Sequence, residues 1–285
     1  MTLTRRALLA LPLPLFGLTL PAKAAPPLDL VASFSILADL AIRIGGPRVR
    51  VTPLVGPGQD AHGFEPRPSD ARALANAGLV LLNGRGLDSW AARLVPAKTR
   101  TVTASTGIAP LGDDPHAWQD ATNTKSYIAT IRDALIAADP EGAETYRANA
   151  TRYLTEIEIL DRDIRETFAP IPRARRKIVT SHDAFAYYGR AYGIDVLAPQ
   201  GIAADSEPSA KQLAALIAQI RRDHITALFI ENIGRNALLE TVARETGVHI
   251  GGQLFSDALT PSGGPASTYL AMMRHNTAAI AAALK

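Results

Sequence analysis

The stretch from Glu141 to Phe168 contains no proline and a single glycine, Gly142. Asp139-Pro140 precedes it, and Ala169-Pro170-Ile171-Pro172 stops it. Along it Tyr146, Tyr153, Leu154, Ile157, Leu160 and Ile164 recur at three- and four-residue spacings, which is the apolar stripe of an amphipathic helix. At 1.5 Å per residue such a helix is about 40 Å long, enough to run the length of a two-lobed protein. A helix of this length near the middle of the chain obliges the segments on either side to pack along it.

Both flanking segments alternate apolar runs with helical patterns. Before the long helix, strands are predicted at 28–35, 49–55, 79–82 and 100–104, with helices at 36–44, 67–77, 87–94 and 125–138. After it, strands are predicted at 177–180, 195–197, 225–230 and 248–250, with helices at 184–192, 209–222, 236–246 and 268–284. Ser209-Ala210-Lys211-Gln212 is the signature of a capping box. Alternation of this kind indicates parallel sheets flanked by helices. The expected fold is therefore α/β: two lobes, each a parallel sheet between helices, joined by one rigid helix. The expected boundaries are 25–140 for the first lobe, 141–170 for the linking helix and 171–285 for the second lobe.

Three of the six histidines stand in acidic frames: Asp60-Ala61-His62, Asp113-Asp114-Pro115-His116 and Ser181-His182-Asp183. A further acidic spot is Ser256-Asp257. Each follows a predicted strand, and ligands of parallel sheets bind beyond the carboxyl ends of strands. Two of these sites fall in each lobe, so a cleft between the lobes is where all four could converge. Three imidazoles and one carboxylate fill a tetrahedron around a divalent metal, and nearby carboxylates orient such rings. Asp60, Glu65 and Glu231 are the candidates for that orienting role. His224, His249 and His275 are better explained without metal, as a solvated residue, a half-buried strand residue and a helix residue facing water. Trp90 and Trp118 are expected to pack, with Trp118 also placed to shield a metal.

The N-terminus has a basic start, Arg5-Arg6, an apolar run from Ala7 to Leu20, and Ala22-Lys23-Ala24. That is a secretory signal, with cleavage expected after Ala24. Thr4-Arg5-Arg6-Ala7-Leu8-Leu9 also resembles a twin-arginine export signal. The chain has 0 Cys, which excludes disulfides and thiolate ligands and leads to the expectation of a free periplasmic protein that is not a lipoprotein. No second apolar run is long enough to span a membrane. A formal net charge of +3 is too small to argue for nucleic acid.

The segment Gly56-Pro57-Gly58-Gln59-Asp60-Ala61-His62-Gly63-Phe64-Glu65-Pro66 resembles the first ligand segment of the metal-binding receptors of bacterial zinc and manganese ABC importers. Asp114-Pro115-His116-Ala117-Trp118 resembles their second, and Thr180-Ser181-His182-Asp183-Ala184-Phe185 their third. Leu254-Phe255-Ser256-Asp257-Ala258-Leu259 is similar to their fourth, and Glu207-Pro208-Ser209-Ala210-Lys211 to a further segment. The resemblance covers essentially the whole chain after the signal. It implies two lobes around a linking helix, with His62, His116, His182 and Asp257 as metal ligands. It also implies delivery of the metal to a membrane permease driven by an ATPase, with an accessory metallochaperone as a possible donor, and a monomeric receptor.

Zn²⁺ is the expected cargo, because neutral imidazoles in a closed four-donor set suit it, and Mn²⁺ or Fe²⁺ is the alternative. Some manganese members carry a glutamate where this chain has His182. Unlike many zinc members, the chain has no histidine between Leu94 and Asp114, so no metal-gathering loop is expected. A secreted zinc hydrolase is disfavoured, since no His-Glu-x-x-His motif is present and catalytic zinc keeps an open position. A metal chaperone working without a permease remains the other reading.

Overall fold

A computed structural model describes residues 26–199, 201, 209–234 and 237–285. The signal segment, and Glu207-Pro208 of the further motif, lie outside the described residues. The first sheet is built from β1 (Leu28–Phe34), β2 (Val49–Val55), β3 (Leu79–Leu82) and β4 (Thr101–Thr103) in the order β2-β1-β3-β4. The second is built from β5 (Lys177–Val179), β6 (Asp195–Leu197), β7 (Ala227–Glu231) and β8 (His249–Leu254) in the order β6-β5-β7-β8. All six strand pairings are parallel. The two sheets thus share one topology, and their strand ends, where loops emerge, face a common cleft.

Period-two alternation sends successive side chains of the second sheet to different cores. Ile178, Ala227 and Phe229 join the main core, whereas Val179 and Leu228 join a smaller one. That smaller core is filled by α7 (Ala210–Arg222) and α8 (Ala237–Thr246) through Leu216, Ile220, Leu239 and Val242. The main core is continuous across both halves of the molecule: Leu30 and Val80 of the first sheet belong to it together with Phe229 of the second. Its spine is α5 (Ala143–Phe168), whose 26 residues bury Tyr146, Ala150, Tyr153, Ile157, Leu160, Ile164 and Phe168. That stripe packs on α1 (Ser35–Gly45), α4 (Ala121–Ala138) and α9 (Tyr269–Leu284), and the remaining helices are α2 (Pro68–Asn76), α3 (Ser89–Ala92) and α6 (Ala186–Tyr192). Arg48 grips Asp139 just before α5 with two hydrogen bonds of 2.8 and 2.9 Å, and the Tyr146 hydroxyl donates to the same carboxylate at 2.5 Å.

Most element ends lie within two residues of their predicted positions, and two differ by more, each for a clear reason. Helix α4 begins at Ala121, four residues earlier than its apolar pattern suggests, because the Asp120 carboxylate caps it by accepting the Thr122 N–H at 2.8 Å. Strand β8 continues through Gly251-Gly252 to Leu254 instead of ending at Ile250. A β-carbon on Gly251 would sit 2.9 Å from both the Ala283 β-carbon and the Phe229 ring, so glycine is what lets α9 lie against this strand. The pairing of β8 with β7 shifts register between Leu228 and Phe229. Gly252 takes φ +134°, which other residues rarely adopt.

No helix among the described residues is long and apolar enough to cross a membrane. Leu160 is fully buried at the centre of the α5 stripe. Leu160→Ala should cost about 2–5 kcal/mol by cavity formation, read as a lower midpoint with unchanged slope in urea unfolding.

Candidate metal centre

His62 lies in the loop after β2. The Asp60 carboxylate accepts the His62 backbone N–H at 2.8 Å, which closes the turn. The Trp90 Nε1–H donates to the Ala61 carbonyl at 3.0 Å, and the Gly58 N–H donates to the Leu259 carbonyl at 2.9 Å, tying the loop to the other half of the chain. His116 lies in the long connection after β4. The Asp114 Oδ1 atom accepts the His116 N–H at 2.8 Å and lies 2.6 Å from its ring Nδ1. One carboxylate therefore fixes both the backbone and the ring. Asn83 donates to the Pro115 carbonyl at 3.0 Å and accepts from the Tyr127 hydroxyl at 2.7 Å, so this segment is held from below as well.

His182 directly follows β5 and Thr180-Ser181. The buried Glu231 at the end of β7 accepts the Ser181 and His182 N–H groups through Oε1 at 2.9 and 3.0 Å. Its Oε2 lies 2.8 Å from His182 Nδ1. Asp257 follows β8, and its approach is clamped by Asn276 of α9. The Asn276 side chain accepts the Phe255 N–H at 2.9 Å and donates to the Phe255 carbonyl at 2.7 Å. Trp118 and Gln119, next to His116, both donate to the Ser256 carbonyl, at 3.0 and 2.9 Å.

These four segments bring His62, His116, His182 and Asp257 to one point, with a ligand-type atom of each within 4.8 Å of the others. His62 Nε2 is 3.0 Å from His116 Nε2 and 3.2 Å from Asp257 Oδ2. His116 Nε2 is 3.4 Å from Asp257 Oδ1, and His182 Nε2 is 3.3 Å from Oδ2. Metal–nitrogen bonds of 2.0–2.1 Å at the tetrahedral angle give ligand–ligand edges of about 3.3 Å. The spacing is thus that of donors around a cation. Both Asp257 oxygens are buried, yet none of their contacts has hydrogen-bond geometry, as expected when lone pairs aim at a shared centre rather than at each other.

The electrostatics agree. Burial opposes a charge on His116, but the carboxylates of Asp257 and Asp114 outweigh it and raise its pKa to about 9. Burial likewise opposes a charge on His182, and Glu231 and Asp257 outweigh it, raising that pKa well above its ordinary value. Asp257 is held well below the usual carboxylate range by His116 and His182, against the opposing effect of its burial. The buried carboxylates thus favour the charged forms of His116 and His182.

Of the three candidate orienting acids, Glu231 lies against a ring nitrogen and Asp60 serves the backbone of His62 instead of its ring. Glu65 is exposed and makes no hydrogen bond to the cluster. Its neighbour Phe64 turns inward onto Trp90, with ring centroids 4.7 Å apart, which sends Glu65 outward. Sequence reasoning did not single out Asp114, although the Asp-x-His spacing shared with Asp60 and His62 was the signal. Trp118 is fully buried, with its ring centroid 5.3 Å from that of His116. Among the remaining histidines, His224 is exposed, as expected. His249 is exposed rather than half-buried, and His275 does not simply face water: its Nε2 lies 3.0 Å from the Gln253 carbonyl and its ring against Phe255.

Two parallel α/β lobes around a long helix, with side chains from both lobes meeting in the cleft, define a solute receptor with a site for a metal cation. Residues 30–283 match the model of the family described as zinc-uptake complex component A, periplasmic. The chain belongs to that family of metal-binding substrate-binding proteins of ABC transporters. It is 37% identical over 257 residues to the manganese-binding lipoprotein MntA of Halalkalibacterium halodurans, covering 87% of this chain and 86% of that one. It is 32% identical over 267 residues to the iron ABC transporter substrate-binding lipoprotein MtsA of Streptococcus pyogenes, covering 87% and 86%. Its fold superposes on the periplasmic zinc-binding protein TroA of Treponema pallidum with a TM-score of 0.86 at 30% identity, covering 91% and 99%. The names of MntA and MtsA overturn the expectation of a periplasmic protein that is not a lipoprotein, since both relatives are lipoproteins. Counting cysteines was no sufficient ground for assigning a location.

A pH dependence follows from the raised pKa of His116. The His116 pKa is raised on folding, so its contribution is complete below about pH 6.5 and is lost as pH rises through about 9. Chemical unfolding of chelator-treated protein should show a stability loss on the order of 2 kcal/mol between pH 6.5 and 9.5, and His116→Gln should flatten that slope.

Proposed function

We propose that this protein captures Zn²⁺ through His62, His116, His182 and Asp257 and delivers it to the permease and ATPase of an ABC importer. The observation that carries this reading is the set of 3.0–3.4 Å spacings between three imidazole nitrogens and one buried carboxylate. Neutral imidazoles suit zinc, and the four donors form a closed set of the kind that holds an ion without exposing it to reacting water. A divalent cation and one carboxylate leave one formal positive charge, which Asp114 and Glu231 are placed to offset.

A second reading, Mn²⁺ or Fe²⁺, has its own support. Asp257 presents both oxygens to the cluster, Oδ1 toward His116 and Oδ2 toward His62 and His182. A carboxylate so turned can bind through both atoms and raise the coordination number, which favours metals less tied to a tetrahedron than zinc. The manganese and iron named for MntA and MtsA point the same way.

Elemental analysis of protein purified without added metal, followed by Zn²⁺/Mn²⁺ competition, separates the two. Zinc retained against excess manganese supports the first reading. Manganese or iron in the purified protein, with zinc readily displaced, supports the second.

His62→Ala and His182→Ala should each weaken Zn²⁺ binding by two orders of magnitude or more, roughly the tens-fold cost of an outer partner multiplied by the loss of a direct bond. Chelator-competition titration measures this, and unchanged affinity in either variant would remove that residue from the ligand set. Because bound metal must displace protons, affinity should also climb as pH rises from 6.5 to 9. At a free Zn²⁺ concentration 100-fold above Kd, the metal should stabilise the fold by about 2.7 kcal/mol, seen as a higher melting temperature.

A further inference from the structure

The four clustered side chains are not equally enclosed. The His116, His182 and Asp257 side chains have no exposed surface, whereas His62 keeps 9% of its own. They are not equally held either. Carboxylates stand at Nδ1 of His116 and of His182, at 2.6 and 2.8 Å. Among the described residues no partner is found for His62 Nδ1; only its backbone N–H and Nε2 make contacts. Apart from its contacts with the cluster itself, the ring is held by its loop, through Asp60 and the Trp90 bond to Ala61.

His62 also lines a cavity of about 510 Å³ that opens to the surface. Its other walls include Arg85, Leu87, Asp113 and Pro115. Leu87 is buried and Asp113 exposed, so the space runs from the protein interior to a carboxylate at its rim. The Arg85 guanidinium is tied back to the Ile108 carbonyl, which keeps that long side chain against the wall. A hydrated divalent ion is small against such a volume. Buried groups stand on other sides of the cluster: Trp118 beside His116, and Glu231 behind His182.

We propose that this cavity is the exchange path of the site, and that His62 is its gate: the ligand that closes last on capture and leaves first on release. The proposal rests on the metal-receptor reading above and deepens it. Rotating His62 toward the cavity gives up its 3.2 Å approach to Asp257 Oδ2 but separates no carboxylate from an Nδ1 atom. Freeing His116 or His182 would separate the ring from its buried Asp114 or Glu231 partner, which is a costlier step. The remaining three ligands would hold the ion while water enters through the cavity.

The chain has 0 Cys, so one introduced thiol can be modified selectively. Asp113→Cys places it at the rim of the cavity. Ser262→Cys, exposed beside a separate cavity of about 300 Å³ lined by Ser35, Asp39 and Leu259, is the control. Each variant is compared before and after labelling with a bulky maleimide, so the unlabelled protein serves as its own folding reference. Zn²⁺ is the probe, with uptake and chelator-driven loss followed by stopped flow and affinity by titration. Labelling Cys at 113 should slow both rates by about tenfold or more while affinity changes less than about threefold, because a plug alters the path and not the end states. Labelling Cys at 262 should change neither rate.

Unaltered rates after labelling at 113, equal slowing after labelling at 262, or faster loss after labelling at 113 would each overturn the proposal. Failure of the unlabelled protein to bind Zn²⁺ would be a different result. It would strike the zinc reading itself, and the titration would show it before any label was added.

Discussion

A carboxylate with no exposed surface, Asp257, sets the terms for the rest of this structure. A buried charge is tolerated only when opposite charge or donors compensate it, and removing such compensation costs several kcal/mol. Asp257 has no hydrogen-bond donor within good geometry, only three imidazole nitrogens at 3.2–3.4 Å. Its charge is therefore balanced by whatever those imidazoles hold, protons or a shared cation. Both are positive, and both require the rings to stay where they are. The same contacts explain the raised pKa values of His116 and His182 and the lowered one of Asp257.

Keeping the rings in place is the work of the strand ends. Parallel pairing directs the exits of β2, β5, β7 and β8 toward the cleft, and short loops then limit how far each side chain can stray. The precision comes from long-range hydrogen bonds laid over that frame. Trp118 and Gln119 hold the Ser256 carbonyl from across the cleft, and Asn276 holds Phe255 from α9. The lobes also meet through buried groups, with the Tyr269 N–H on Asp39 at 2.9 Å and the Leu259 N–H on the Ser35 hydroxyl at 3.0 Å. With a continuous apolar core along α5, these bonds leave little freedom for a wide opening of the cleft.

Much of this was legible in the sequence, for identifiable reasons. The α5 stripe repeats over seven buried positions, so noise at any one of them does not hide it. His62, His116, His182 and Asp257 each follow an apolar run, and strand ends are where α/β proteins gather ligands. What escaped depended on partners distant in sequence or on backbone geometry. The continuation of β8 through Gly251-Gly252 reads locally as a turn, and only contact with Ala283 and Phe229 explains those glycines. Asp114 was visible beside His116, but nothing local says that one oxygen would serve both the backbone and the ring. Glu65 looked equivalent to Asp60 until Phe64 was seen to turn inward onto Trp90. The links from Asn83 to Tyr127 and from Trp118 to Ser256 span 44 and 138 residues, and no periodicity reports them.

A receptor that must both hold and surrender its cargo faces two opposed demands. Uniformly anchored ligands give affinity but slow release, because every bond is supported from behind; uniformly loose ligands give the reverse. Here the support is unequal. Buried carboxylates stand behind His116 and His182, and Asp257 is positioned by bonds to its neighbours Phe255 and Ser256, while His62 has no carboxylate at Nδ1 and is held by its loop and by the cluster itself. If all four groups are ligands, affinity depends on every one of them, but the barrier to exchange depends on the easiest one to move. Weakening a single, surface-facing ligand can therefore change the rate of exchange by more than it changes the stability of the loaded state. The proposed gate needs no large hinge, because the ring without an Nδ1 carboxylate stands beside an opening that reaches the cluster.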